Sequence, residues 1–194
     1  MPNPESIAVI GAGADGRGIA QLAALAGFRV VLEDLIPGSL RRAEGEIRDS
    51  LREAATKGEL TERDAQAALA RIEYGTSLES AARDAEIVIE AVPEEFDSKE
   101  EIFRLLDRFC RPEAFLVTIS TESSVTEIAQ VTLRSDRLVG MRFTVPTHKS
   151  TSIEVVRGTE SSDEAVETVM NVARALVADV SLIDERTAHT ARTS

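Results

Sequence analysis

Short apolar segments rich in Val and Ile alternate along the chain with longer segments of helical periodicity. The apolar segments are five to eight residues long, a length typical of strands buried on both faces. They cover residues 6–11, 28–34, 85–92, 115–120, 137–143, 153–158 and 179–183. The helical candidates are residues 15–26, 38–57, 61–72, 99–109 and 161–177. Strands that alternate with helices predict an α/β fold with a doubly wound, mostly parallel sheet.

Helix start signals support this division of the chain. Pro37, Thr61 and the "SSDE" at 161–164 each stand where a helical segment begins. We find no internal repeat and no low-complexity linker, so one domain over residues 1–183 is predicted. The remaining residues, 184–194, read "DERTAHTARTS" and have almost no apolar content, which predicts a frayed polar tail.

Composition excludes some partners. The chain has 194 residues, of which 43% are apolar, an ordinary value for a globular domain. Its 22 basic and 34 acidic residues give a net charge of −12. Acidic charge scattered through the chain argues against binding nucleic acid or an anionic membrane surface by bulk electrostatics.

The expected compartment is a reducing cytoplasm. Cys110 is the single cysteine, so no intramolecular disulfide can form. The first residues lack the charged and apolar regions of a signal peptide, and no apolar run approaches the roughly 20 residues of a membrane span. We also predict no metal site.

A glycine pattern opens the first predicted helix. Gly11, Gly13 and Gly16 form G-x-G-x-x-G directly after a strand. A dinucleotide-binding turn needs a tight bend at the first glycine, close approach of a pyrophosphate at the second, and helix-to-strand packing at the third. The pattern alone is weak, because glycine-rich turns also occur in folds that bind nothing.

An acid at the end of the second strand strengthens the pattern. Asp34 lies 18 positions beyond the last glycine, where a carboxylate accepts from the ribose hydroxyls of an adenosine. An acid there repels a 2′-phosphate, so NAD is predicted rather than NADP. Asp15 complicates the turn: it either caps the helix N-terminus or points at the diphosphate and weakens binding.

Three longer stretches resemble one known family. "VIGAGADGRGIAQLAALAGFRVVLED", "VIEAVPEEFDSKEEIFRLLD" and "LVGMRFTVP…IEVVRG" look like the NAD-binding domain of the L-3-hydroxyacyl-CoA dehydrogenases. The resemblance runs from about residue 7 to about residue 183 and implies a Rossmann-type fold that uses NAD. The family's helical C-terminal domain, which closes the substrate cleft and forms the dimer, is expected to be absent.

The resemblance implies further binding residues. Ala91, Glu94 and Lys99 match positions that line the nicotinamide half of the cofactor. For Glu94 and Lys99 the alternatives are a helix-entry acid and a solvated helix-start lysine. Ser50 and Lys57 match positions that contact coenzyme A, and seven residues of helix place both on one face. An ordinary exposed helix face is the alternative for this pair.

The catalytic positions depart from the family. By resemblance, Thr121 matches the Ser that holds the substrate oxygen, and Glu154 matches the Glu that orients a catalytic His. Arg142 stands at the position of that His. Val145 and Ile119 stand where the family has Asn.

Arg142 cannot act as a general base, because a guanidinium does not lose its proton at working pH. It could instead pair with Glu154, polarise a carbonyl oxygen or hold a carboxylate. Only two histidines exist to replace the base. His148, in a loop six residues later, is the better candidate, and a merely solvated loop His is the alternative; His189 lies in the polar tail.

Two functions therefore stay open at this stage. The first is an NAD-dependent oxidoreductase acting on a 3-hydroxyacyl-CoA or related 3-hydroxy acid, with weak or altered activity. The second is a catalytically inactive domain that binds NAD, a CoA ester or both. The sequence leaves the oligomeric state open.

Overall fold

The structure, a computed structural model, describes residues 4–93, 96–119, 124–143 and 147–185. Within them, strands β1 to β8 are Ser6–Ile10, Arg29–Glu33, Ile72–Gly75, Ile87–Glu90, Phe115–Ile119, Leu138–Phe143, Ser152–Arg157 and Asp179–Asp184. Helices α1 to α7 are Ala14–Leu25, Pro37–Thr56, Glu62–Leu69, Leu78–Ala82, Phe96–Phe109, Val125–Ala129 and Asp163–Leu176. Single-turn 3-10 helices lie at Ser135–Arg137 and Thr147–Lys149.

The strands form one sheet in the order β3-β2-β1-β4-β5-β6-β7-β8. Neighbouring strands are parallel except β6 and β7, which are antiparallel. Between β1 and β4 the strand order reverses, and a sheet of this kind has its ligand crevice at the carboxyl ends of such strands. The predicted fold class, a doubly wound and mostly parallel sheet, is confirmed.

Alternating side chains of the central strands build a core on each face of the sheet. Val9 belongs to a cluster that contains the apolar sides of α1, α2, α3 and α7. Its neighbours Ala8 and Ile10 belong to the opposite cluster, which contains α4, α5 and α6. A strand covered on both faces needs apolar residues at every position, which explains the unbroken run "IAVI".

The predicted helix starts are confirmed. Pro37 is the first residue of α2. The backbone N–H at this position has no partner within a helix, so a proline costs no helical hydrogen bond there. The Thr61 and Ser162 hydroxyls accept from the backbone N–H groups of Asp64 and Ala165, which caps α3 and α7.

The prediction of a helix over residues 61–72 is wrong at its C-terminal end. Helix α3 ends at Leu69, and Ile72–Gly75 forms β3, which pairs with β2 in parallel. The four residues "IEYG" alternate apolar with polar or glycine positions and do not stand out against the helical pattern before them. The short helices α4 and α6 were also not predicted.

The end of the described chain is attached to the domain. Asp184 is the last residue of β8, and the Glu185 carboxylate accepts from the backbone N–H groups of Val125 and Thr126 at 2.9 and 3.1 Å. The boundary at residue 183 stays a prediction, and residues 186–194, with His189, lie outside the described residues. No helix among the described residues is long and apolar enough to cross a membrane.

Candidate cofactor and substrate site

The glycine turn has the geometry that the motif demands. Gly11 has a φ of 101°, and a β-carbon there would lie 2.7 Å from the Ala91 carbonyl oxygen. A β-carbon at Gly16 would lie 1.8 Å from the Gly11 carbonyl oxygen, so α1 packs directly on the turn. Gly13 has open space around its Cα, with no atom within 4 Å of an added β-carbon. The turn therefore leaves room for a phosphate at the start of α1.

A cleft of about 800 Å³ lies at the carboxyl ends of β1, β2 and β4. Its walls bring together the glycine turn, Asp34 and Ala91, which are far apart in sequence. Ile102 of α5 and Ile119 at the end of β5 line the cleft as well. Its volume is that of a small-molecule site, and it lies where the strand order reverses.

Asp34 is held in place by the backbone. Its Oδ2 accepts from the Ala12 N–H at 2.9 Å, and its Oδ1 accepts from the Ile36 N–H at 2.8 Å. Each carboxylate oxygen has a second lone pair free to accept another donor. The residues therefore fit a dinucleotide: an open glycine turn for the phosphates and a fixed acid for the adenosine ribose.

Glu33, immediately before Asp34, was missed in the sequence. Its side chain is 2% exposed and lines the same cleft. Its Oε1 is buried and has no hydrogen-bond partner in the described part of the chain. Burial, with a smaller contribution from the Asp34 charge, raises the pKa of Glu33 to about 7. The available signal was an acid that directly follows the apolar run "VVL" in the strand "RVVLE".

Lys99 lies beneath the floor of the cleft. It is fully buried, and its Nζ donates to both Glu90 carboxylate oxygens at 3.0 and 2.9 Å and to the Ile119 carbonyl at 2.7 Å. The Thr118 hydroxyl also donates to Glu90, at 2.8 Å. Burial raises the pKa of Glu90, and the ammonium of Lys99 opposes that rise.

The alternative of a solvated Lys99 is thus wrong. All three of its N–H donors already have acceptors within the protein, so it supports β4 and β5 where they border the cleft. Direct contact between Lys99 and a cofactor stays a prediction. Glu94, predicted for the same region, lies outside the described residues.

Arg142 and Glu154 are direct cross-strand neighbours. They pair in the antiparallel register of β6 and β7, which places their β-carbons about 5 Å apart on one face of the sheet. Arg142 is half-buried and Glu154 is exposed. The geometry is compatible with the predicted interaction between the two residues. Thr121 and Val145 lie outside the described residues.

A second cavity, of about 420 Å³, contains the residues predicted to contact coenzyme A. Ser50 of α2 and Lys57, the C-cap residue of that helix, both line it, together with His148. Arg17 lines this cavity and the larger cleft, so the two adjoin. Two basic side chains of this cavity form salt bridges: Arg17 contacts Glu46 at 2.7 Å, and Lys57 pairs with Glu53.

His148 faces this second cavity. Burial, followed by the nearby charges of Lys149 and Arg17, lowers the pKa of His148, which favours its neutral form.

Asp15 is bonded to Thr147, the neighbour of His148. The Thr147 hydroxyl donates to Asp15 Oδ1 at 2.6 Å. Asp15 is in the first turn of α1 and lines the main cleft, and Thr147 satisfies one of its oxygens; no side-chain cap hydrogen bond is found among the described residues at the start of α1.

Comparison with known proteins identifies the family of this domain. Residues 6–182 match the family model described as 3-hydroxyacyl-CoA dehydrogenase, NAD binding domain. The chain belongs to this family of NAD-binding domains. The resemblance noted in the sequence and the NAD prediction are thereby confirmed.

Individual relatives are longer than this chain. A probable 3-hydroxybutyryl-CoA dehydrogenase of Bacillus subtilis is 39% identical over 169 residues, which are 87% of this chain and 58% of the relative. The human mitochondrial hydroxyacyl-coenzyme A dehydrogenase is 30% identical, over 88% of this chain and 56% of its own length. The crystal structure of (S)-3-hydroxybutyryl-CoA dehydrogenase from Ralstonia eutropha superposes with a TM-score of 0.90 at 31% identity, covering 94% of this chain and 64% of that one.

Proposed function

We propose that this protein is an NAD-dependent oxidoreductase of 3-hydroxyacyl-CoA or related 3-hydroxy acids, with weak or altered activity. The observation that carries the proposal is the Asp34 carboxylate bonded to the Ala12 N–H of the glycine turn, in one cleft with Ala91. This arrangement supports binding of the adenosine half by Asp34 and of the phosphates by the start of α1. When bound, NAD supplies the hydride-transfer chemistry.

The substrate proposal follows from the relatives and the second cavity. The Bacillus subtilis and Ralstonia eutropha relatives are named as 3-hydroxybutyryl-CoA dehydrogenases. In this chain Ser50 and Lys57 line a cavity that adjoins the main cleft. A hydroxyl and an ammonium on one helix face suit the phosphates of a CoA ester, once Lys57 gives up its salt bridge with Glu53.

Weak activity follows from Arg142. General acid/base catalysis typically contributes a factor of about a hundred to ten thousand, and a guanidinium supplies none of it. In our proposal Glu154 orients Arg142, the Arg142 guanidinium polarises the reacting oxygen, and Thr121 contributes a hydrogen bond. The permanent cation at this position also favours a second candidate, a domain that binds NAD or a CoA ester without turnover.

The first test concerns cofactor binding. We expect NADH to bind measurably, by fluorescence titration or thermal shift, and Asp34→Ala to weaken binding at least about tenfold through lost bonds to the ribose. Asp84→Asn is the matched control, because Asp84 is an exposed acid that precedes β4, at the amino ends of the strands and away from the cleft. No response to NADH in the wild type would remove the proposal.

The second test separates the enzyme from the binding domain. We expect slow NADH-dependent reduction of acetoacetyl-CoA, and a gain of about tenfold or more for Arg142→His, because an imidazole can transfer the proton. No turnover in either protein would favour the binding domain. A fast wild-type rate that His148→Ala abolishes would instead mean that His148 is the base.

A further inference from the structure

The cleft contains a buried carboxyl group whose hydrogen bonding is incomplete. Glu33 is the last residue of β2 and is 2% exposed, and its Oε1 has no partner within the described residues. Buried polar atoms almost always have a partner, so an exception requires an explanation. We explain the unpartnered oxygen by the location of Glu33, which lines the same cleft as Asp34 and the glycine turn.

The position of Glu33 in the sheet shows which part of the cleft it faces. It pairs in register with Ile10 of β1, so the two side chains share the face of the sheet that packs against α4 and α5. On the same side of the cleft lie Val92 and Ile102, which are apolar. An apolar wall with one incompletely bonded carboxyl group at its base suits a flat heterocycle that presents ring nitrogens.

The charges around Glu33 favour its neutral form. The charged groups that line its cleft or lie on the elements packed on it include Asp15 and Arg17 of α1, Asp34, Arg42 of α2, Glu73 of β3, Glu79 of α4 and Glu90 of β4. Arg17 pairs with Glu46, Glu79 with Arg83 and Glu90 with Lys99, and the adjacent Asp34 is the charge that adds to burial in raising the pKa of Glu33. A bound dinucleotide would add its own negative phosphates and displace water, and both effects disfavour a second carboxylate.

We propose that Glu33 binds the adenosine moiety as a neutral carboxylic acid that donates its proton to a ring nitrogen, so that cofactor binding takes up a proton. This inference rests on the proposed function, because it needs a dinucleotide in the cleft. Glu33 is then a second cofactor residue beside Asp34, with the opposite hydrogen-bonding role. Asp34 accepts hydrogen bonds from the ribose, and Glu33 donates one to a ring nitrogen of the adenosine.

The experiment is an NADH titration by fluorescence from about pH 6 to about pH 9 on the full chain. Wild-type affinity is expected to fall by about tenfold for each pH unit above the free-protein pKa of Glu33, because the ionised form must first bind a proton. Glu33→Gln keeps a donor and does not titrate, so its affinity stays flat and near the low-pH wild-type value. Glu79→Gln, an exposed control, keeps the wild-type slope.

Two further measurements make the result independent of how Glu33→Gln folds. Glu33→Met, which has no donor, is expected to bind NADH weakly at every pH. Titration calorimetry of the wild type at about pH 8, in two buffers of different ionisation enthalpy, is expected to show uptake of close to one proton on binding.

Two outcomes would overturn the inference in different ways. NADH binding that is independent of pH, or a slope that Glu33→Gln retains, overturns the role of Glu33 and leaves the proposed function standing. No NADH binding at any pH overturns both.

Discussion

Three acidic residues at neighbouring strand ends have three different environments. Asp34 accepts two backbone N–H groups, and Glu90 is bonded to Lys99, Thr118 and the Val92 N–H. Glu33 has a buried oxygen with no partner among the described residues. Burial opposes ionisation and hydrogen bonds to a carboxylate favour it, so the surroundings of each acid influence how readily it ionises.

Glu33 should make the stability of the free protein depend on pH. Its pKa is raised from 4.5 to about 7 in the folded chain, so the folded state holds the proton more tightly than the unfolded state. Its contribution is fully present below about pH 4.5 and is lost as pH rises through about 7. Relative to Glu33→Gln, the wild type should lose about 3 kcal/mol between roughly pH 4 and pH 9, by urea unfolding.

The control for this pH series is Glu79→Gln, because Glu79 is exposed and carries a salt bridge to Arg83. Its stability curve should stay parallel to that of the wild type. A difference between wild type and Glu33→Gln that does not change with pH would mean that folding does not shift the pKa of Glu33.

The sequence located Asp34 but could not determine the environment of Lys99. The position of Asp34 follows from short-range spacing after a glycine turn, which one segment of chain contains. The burial of Lys99 depends on Glu90 and Ile119, which belong to two different strands. Only the packing of α5 against those strands brings the three groups together.

At the scale of elements, α1 and the 3-10 turn Thr147–Lys149 pack closely at Gly18. A β-carbon added there would lie 2.8 Å from both the His148 backbone nitrogen and the Thr147 Cβ. This contact holds the turn beside Asp15, which accepts from Thr147. Glycine is therefore needed at this position because of a close approach, and not because of an unusual φ.

We expect Gly18→Ala to destabilise the protein by about 1–3 kcal/mol in urea unfolding, because backbone atoms must move to admit the methyl group. Gly45→Ala is the matched control: Gly45 lies inside α2 with no atom within 4 Å of an added β-carbon. That control should gain about 0.5–1 kcal/mol from helix propensity. Equal gains for both variants would show that the turn is not fixed against α1.

Element prediction from sequence worked where an element was long or strongly patterned. The central strands β1 and β4 and the helices α2 and α7 follow clear apolar patterns. Strand β3 was hidden at the end of a helical pattern, because its four residues gain their structure from pairing with β2. Local propensity carries little information about such an edge strand.

At the scale of the whole molecule, one sheet carries two core clusters on its opposite faces. Val9 and Ile89 belong to one cluster, and their neighbours Ala8 and Val88 belong to the other. Because the same strands supply both clusters, loss of either core should unfold the shared sheet. The domain is thus expected to unfold in a single cooperative transition.

Tyr74 provides a test of this cooperativity. It is the only tyrosine in a chain without tryptophan, and it packs against the cluster that contains Val9. Leu106→Ala removes a fully buried side chain from the opposite cluster and should cost about 2–5 kcal/mol. Tyrosine fluorescence and far-UV circular dichroism should shift to the same urea midpoint. A fluorescence midpoint that stays at the wild-type value would show that the two cores unfold separately.

The sequence by itself determined the fold class, the glycine turn with its acid, and the presence of a guanidinium where a proton acceptor is expected. These features depend on residue type and short spacings, which the chain specifies without reference to distant parts. Tertiary structure alone decided that Lys99 is buried, that Glu33 has an oxygen without a partner among the described residues, and that His148 shares a cavity with Ser50. Each of these depends on which distant segments the sheet brings together and on how much water they exclude.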